Sequence, residues 1–516
     1  MKPIFRRAAA LGLAAALLLL SGCSKKKDEG VSSAPVQNAG GQALPDTLRL
    51  PFSANDLLNP YEAATKINQE LSLLLFDPLV KLDSSFSPVY CLAERIELDG
   101  KDCTIDLKEA QFTDGSPVTA EDVTYSIGLA LESNTRYKQQ LAGISSRAAA
   151  DTDTVVLELK EADPYFVNLL DFPIVKLNST SREDENNRAL PPLGCGRYTL
   201  EETDAGAYRL VRNEDYYGQA PAHAEITLID SPDWEALSHT IEVGGIDMYY
   251  SDLRDNEIPK MTGKSVDVPL TDLVYLGVNH KHAALGQIPV RQALSAALSR
   301  DKIADVAYYN QASPATGLFP PGWAPAADLQ AMPPAQNIDE AVAYLEQAGY
   351  NRKDQEGYCV NTAGERIALR LLYNSENTAR ATAAELIVQQ LHKCGVEVIP
   401  QALSFSQYQE ALKAGQFDLY LGEVRLLANM DVRAMFDQKA GACYGLPKTT
   451  SSGEAFEKLY EGESELSVAL SEFGAELPFI PVCYRSGMLA YTAGLSGTPS
   501  VSMSDVYYGI DALSLS

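Results

Sequence analysis

The sequence predicts an α/β protein with more than one lobe, and three observations carry that prediction. Its 516 residues exceed what one ordinary core holds, so two to four domains are expected. Residues after about 46 read mostly as short β-type runs divided by turn residues, whereas after about 279 alanine-rich helical patterns alternate with short strands. Between them lies Leu270 to Asn279, LTDLVYLGVN, an apolar run ending on a polar residue. It reads as a buried strand entering a functional loop and marks the lobe boundary.

The elements follow in order. Thr47 to Phe52 is a strand, and the loop after it, Ser53, Ala54, Asn55 and Asp56, either lines a cleft or makes a plain turn. Ile67 to Leu75 reads as a helix, and Cys91 to Leu98 with Cys103 to Leu107 as a β-hairpin turning at Asp99-Gly100. In Phe112 to Val123, Asp114-Gly115 turns the chain and Thr119 caps a helix whose first turn is acidic. Further on, Val290, Ala293, Leu294, Ala297 and Leu298 form one helical face. Asp339 is expected to cap a helix that stops at Gly349, and another helix stops at Gly395 after Cys394. Strands at Ile367 to Tyr373, Val396 to Leu403 and Phe417 to Val424 alternate with these helices, which predicts parallel connections. Ligands of such sheets sit beyond the carboxyl ends of strands, which points to Asn279 and to the stretch after Tyr420.

The beginning of the chain predicts its compartment. Lys2, Arg6 and Arg7 precede an apolar run from Ala8 to Leu20, which as a helix rises only about 20 Å and is too short to span a bilayer. Leu20, Ser21, Gly22 and Cys23 resemble the bacterial lipobox, whose cysteine is lipidated and becomes the new terminus; the alternative is an ordinary secretory signal. The expectation is a signal peptide over 1–22 and a lipidated flexible tether over 23–45, rich in Lys, Ser, Gly and Gln. The folded body then stands on the outer side of the cell membrane, at the cell surface or in the periplasm.

A formal charge of −27 argues against nucleic acid as a partner. Seven cysteines follow Cys23, an odd number with no CxxC or other metal spacing, and they read as small buried apolar residues. Gly263-Lys264-Ser265 ends like a P-loop, yet Ile258 stands where the first glycine belongs. Neither GxSxG nor HExxH occurs, and the histidines of His280-Lys281-His282 are the only close pair. No catalytic set, cofactor or metal is expected.

Phe112 to Ile127, FTDGSPVTAEDVTYSI, resembles the signature segment of the bacterial extracellular solute-binding proteins of the oligopeptide, dipeptide and nickel class, family 5, which feed ABC importers. Leu75 to Val80, Gly194 to Tyr198, Arg212 to Tyr217, Tyr275 to Asn279, Val290 to Ser295 and Pro314 to Gly317 are similar to that family's strings and come in its order. The resemblance implies a two-lobed, class II periplasmic-binding-protein-like fold closing on a ligand. Lobe I would comprise 46–65, 190–270 and 483–516, with an extra subdomain over 66–189. Lobe II would span 271–482, with hinge crossings near 270–275 and 478–482.

The implied function is capture of oligopeptides or dipeptides by a monomer that docks on ABC permease subunits backed by an ATPase. A peptide's carboxylate suits an Arg fork and its ammonium suits Asp or Glu, so Arg425 with Glu423 and Asp431 are candidate ligand groups, a local ion pair being the alternative. Tyr275, Asn279, Trp323, Tyr444 and Asn55 are further cleft candidates, each with a core or rim role as its alternative. The competing function is an extracytoplasmic sensor or binder of a nickel chelate, an opine or a signalling peptide.

Overall fold

Leu48, Leu50 and Phe52 are buried in the first strand, Leu48–Phe52, which pairs in parallel with Glu225–Asp230. Tyr208–Arg212 and Tyr198–Glu202 continue that sheet in antiparallel fashion. The structure, a computed structural model, describes residues 47–253, 263–330, 332, 335–437 and 439–515. The leader, Cys23 and the expected tether lie outside the described residues.

The hairpin at Asp99-Gly100 forms as its turn chemistry requires. Ala93–Asp99 pairs with Asp102–Leu107, and Gly100 takes the left-handed φ of +60°. Thr154–Leu159 and Ile144–Ala149 complete a four-stranded antiparallel sheet. The helix Ala120–Glu132 packs on it. Asp122 Oδ2 accepts from the Thr119 N–H at 2.8 Å and hydroxyl at 2.7 Å, while Oδ1 accepts from the Leu177 N–H at 2.7 Å. One carboxylate thus starts the helix and fixes a distant loop to it.

The strand expected at the lobe boundary begins earlier, at Gly263, and runs to Val278. It lies antiparallel to the return strand Ile480–Thr492, from Gly263 opposite Thr492 to Leu276 opposite Ile480. The pairing shifts register between Pro269 and Leu273, and there the strand changes core. Val268 and Leu270 pack with the first strand and the C-terminal segment, whereas Val274, Leu276 and Val278 pack with the helices that follow. On the return strand, Cys483 belongs to the second core and Leu489 to the first. Two paired strands therefore carry the chain between lobes, and this two-lobed α/β architecture matches the sequence expectation.

The second lobe corrects two expectations. Asn337, not Asp339, caps the helix Ile338–Gln347, accepting from the Glu340 N–H at 3.1 Å; Asp339 lies in the first turn. The sheet is mixed. Ala368–Asn374 pairs in parallel with Glu397–Leu403 and Leu419–Arg425, but the latter runs antiparallel to the crossing strand, Val278 opposite Leu419 and Asp272 opposite Arg425. Asn279 and Arg425 consequently lie at opposite ends of the sheet, roughly 20 Å apart at the rise of a strand. The rule that pointed at both together assumed parallel neighbours.

Candidate functional site

The crossing strands bring a run of charge to the gap between lobes. The helix Lys66–Leu71 starts at Thr65, which Asp56 holds by accepting from its N–H at 2.8 Å and hydroxyl at 2.6 Å. Helical spacing places Lys66 and Glu70 on one side, facing Tyr250 of the strand Met248–Ser251 and Asp252 just after it. Together with Arg136, Gln140, Asp171, Leu270, Thr271, Arg425 to Ala428 and Met503, they line a cavity of about 520 Å³. It touches the first lobe, the crossing strand and the second lobe at once.

Its charges differ in how far they are satisfied. Lys66 Nζ is 2.6 Å from Asp252 Oδ2. Arg425 donates through Nε and Nη2 to the two oxygens of the fully buried Asp272, at 2.9 and 2.6 Å, and keeps 40% of its side chain exposed. Arg136 lies over the Tyr137 ring at 4.9 Å, and its Nη2 is 3.8 Å from Asp171 Oδ2, a long ion pair. Glu70 is half-buried, and among the described residues its carboxylate has no hydrogen-bond or ion-pair partner. Burial raises its pKa, against the opposing pull of Lys66 and Arg136.

Asp171 is buried and accepts from Gln140 Nε2; burial pushes its pKa from 3.8 up to about 6, with Arg136 opposing. The folded state therefore holds this proton more tightly than the unfolded chain. The contribution to stability is complete below pH 3.8 and is lost as pH rises through about 6. Asp171→Asn keeps an acceptor for Gln140 and removes the titration, so the melting temperature of the variant relative to the parent should climb across that window. Parallel melting curves from acid to neutral pH would remove Asp171 as the titrating group.

Contacts between lobes adjoin the cavity at Ala428. Asn429 Nδ2 donates to Asp163 Oδ2 at 2.7 Å, Asn168 Nδ2 donates to the Ala428 carbonyl at 3.1 Å, and Arg433 Nη1 reaches Glu161 Oε2 at 3.1 Å. Tyr165 meets Trp323 edge-on at 5.0 Å between ring centres.

Of the residues singled out in the sequence, Arg425 lines this cavity. Glu423 is held by Arg380 at 3.0 Å and Arg485 at 3.2 Å, and Asp431 by Arg433 at 2.8 Å. Trp323 is 1% exposed, inside the second lobe's aromatic core where the lobes touch. Tyr275 is buried and donates its hydroxyl to the Ala442 carbonyl at 2.6 Å. Asn279 and Tyr444 line a different cavity of about 450 Å³ at the far end of the second lobe. Asn55 stands exposed in the first loop. Glu70, Arg136 and Asp171 went unnoticed in the sequence; the observed helix begins one residue before the expected Ile67 to Leu75, and that residue, Lys66, is the one that pairs by spacing with Glu70.

Residues 87–436 match the family described as bacterial extracellular solute-binding proteins, family 5 middle. The chain is 28% identical over 452 residues to the oligopeptide-binding protein AppA of Bacillus subtilis strain 168, covering 80% of each chain. It is 26% identical over 377 residues to the nickel-binding periplasmic protein of Escherichia coli K12, covering 69% of this chain and 71% of that one. The solved structure of the periplasmic murein tripeptide binding protein MppA, in its unliganded open form, superposes with a TM-score of 0.72 at 19% identity, covering 92% of this chain and 98% of that one.

Proposed function

Because this chain belongs to the bacterial extracellular solute-binding proteins of family 5, which are not enzymes, we propose that it captures short peptides between its lobes and hands them to an ABC permease. Glu70 carries this reading: a half-buried carboxylate with no partner among the described residues costs roughly 1–3 kcal/mol until a cation supplies one. A peptide ammonium does so, while Arg136, only loosely paired, and the exposed edge of Arg425 take the carboxylate. A cavity of about 520 Å³ falls within the roughly 300–1,000 Å³ of small-ligand sites and suits a short peptide. Lobe II moves about the paired crossings near 270–275 and 478–482. Acylation at Cys23 and the tether over 23–45 hold the monomer at the membrane surface beside the permease.

Native mass spectrometry of the protein extracted from membranes reads both parts. The expected result is a chain beginning at an acylated Cys23 with a set of short-peptide masses bound; a single metal chelate or other non-peptide mass would replace the peptide reading. Glu70→Gln should then weaken binding of peptides with a free amino terminus by about tenfold or more, and of N-acetylated forms much less. Equal losses in calorimetric titrations would take the ammonium away from Glu70.

A further inference from the structure

Cys359 and Cys394 stand 35 positions apart and meet in the core of the second lobe. Cys359 opens the two-residue strand Cys359–Val360, and its N–H donates to the Gly395 carbonyl at 2.8 Å. Cys394 caps the helix Thr378–Lys393. The Cys359 thiol lies 3.4 Å from the Cys394 carbonyl oxygen, and a Cβ built at Gly395 would sit 2.6 Å from that sulfur. One sulfur is thus pressed against the peptide that follows the other cysteine. Cys394 Sγ lies 3.1 Å from the Leu391 carbonyl, in the same last turn. Gly395 takes a φ of +91°, so the chain reverses there and brings the small strand back onto the helix end. Both residues are buried, at 2% and 0% exposure, and nothing in the interlobe site uses them.

We propose that Cys359 and Cys394 are a disulfide-forming pair that staples the segment before the strand Ala368–Asn374 to the end of the helix Thr378–Lys393 once the chain is outside the cytoplasm. The oxidising side of the membrane, where this family works, permits the bond. The oxidant is the disulfide of an extracytoplasmic thiol oxidoreductase. One cysteine thiolate attacks it, its S–S bond breaks, and one of its sulfurs leaves as thiolate. The second cysteine thiolate attacks the mixed disulfide and releases the other. In sum two electrons and, by way of solvent, two protons pass from the cysteine pair to the oxidant, which leaves as a dithiol. Burial pushes the Cys394 thiol up to about 12 and raises that of Cys359, so thiolate is scarce in the finished fold. The bond accordingly forms during folding and is shielded afterwards.

The test is to reduce and denature the full chain, refold it in a glutathione redox couple, alkylate the remaining thiols under denaturing conditions and map the peptides by mass. The expected result is one linked pair containing Cys359 and Cys394, lighter by two hydrogens, with the other cysteines alkylated. Reductant should then lower the melting temperature by about 5 °C. Cys359→Ser and Cys394→Ser should each abolish the linked pair and the response to reductant. Alkyl label on both residues in the refolded protein, or a link from either one to a different cysteine, overturns the proposal; the map of the unmutated protein decides this even where a serine variant fails to fold.

Discussion

Gly277→Val should destabilise the protein by about 3–5 kcal/mol, more than an ordinary strand substitution, because the two central strands interlock through a reciprocal pattern. The crossing strand carries Tyr275-Leu276-Gly277 and its neighbour Tyr420-Leu421-Gly422, and the antiparallel register sets Tyr275 opposite Gly422 and Gly277 opposite Tyr420. Each ring therefore lies over the other strand's glycine. A Cβ at Gly277 would fall 2.1 Å from the Tyr420 ring, and one at Gly422 would fall 2.6 Å from the Tyr275 ring. Tyr420 has little room to yield. It is 1% exposed, its hydroxyl donates to Cys443 Sγ at 3.3 Å and accepts from the Tyr444 N–H at 2.8 Å, and Phe417 packs edge-on at 5.0 Å. Displacing the ring strains the core and strips partners from a buried hydroxyl. Urea denaturation of Gly277→Val and of Gly277→Val/Tyr420→Leu separates these effects, since the smaller side chain should restore part of the loss. A single variant as stable as the parent would show that the ring swings aside freely.

That interlock also shows what the sequence discloses and what it withholds. The run at Leu270 to Asn279, the Asp99-Gly100 hairpin and the helix stops at Gly349 and Gly395 were legible because local chemistry decides them; both helix-stop glycines take positive φ, +90° and +91°. Strand direction was not legible. Leu419–Arg425 is parallel to one neighbour and antiparallel to the other, and nothing within seven residues encodes which. The strand's start at Gly263 was hidden for a related reason: Gly263 to Pro269 pairs with the return strand, which arrives only at Ile480–Thr492. The site suffered most. Arg425 could be picked out by its chemistry, but its partner Asp272 is fixed by register. Glu70 and Arg136 have ordinary sequence surroundings and gain their meaning from the fold that lines one cavity with both.

Asp505→Asn should lower stability by about 3–5 kcal/mol although Asp505 is not among the residues that line the interlobe cavity. The carboxylate is 1% exposed and joins three remote parts of the chain: it takes Arg197 Nη2 at 3.0 Å and Lys81 Nζ at 3.3 Å, and sits on the C-terminal segment. Lys81 also meets Asp77 at 3.0 Å, and Asp77 Oδ2 accepts from the Tyr216 and Tyr217 hydroxyls at 2.6 and 2.9 Å. Two buried cations are thus matched by two buried carboxylates. Removing one carboxylate leaves two buried cations to share Asp77, which already meets Lys81 at 3.0 Å, and the partly exposed Asp511, 3.5 Å from Arg197. Asparagine is the informative replacement because it keeps the acceptor that Asp505 Oδ1 offers the Tyr507 N–H at 3.0 Å, so the local turn survives and the charge alone is tested. Acid acts on the same network through Asp77, whose carboxyl the cations and tyrosines hold below 3.8; its contribution is present above that pH and is lost as pH falls through its lowered folded value. Thermal and urea unfolding at neutral pH measure the charge, and a loss under about 1 kcal/mol would mean that water or Asp511 takes over the role of Asp505.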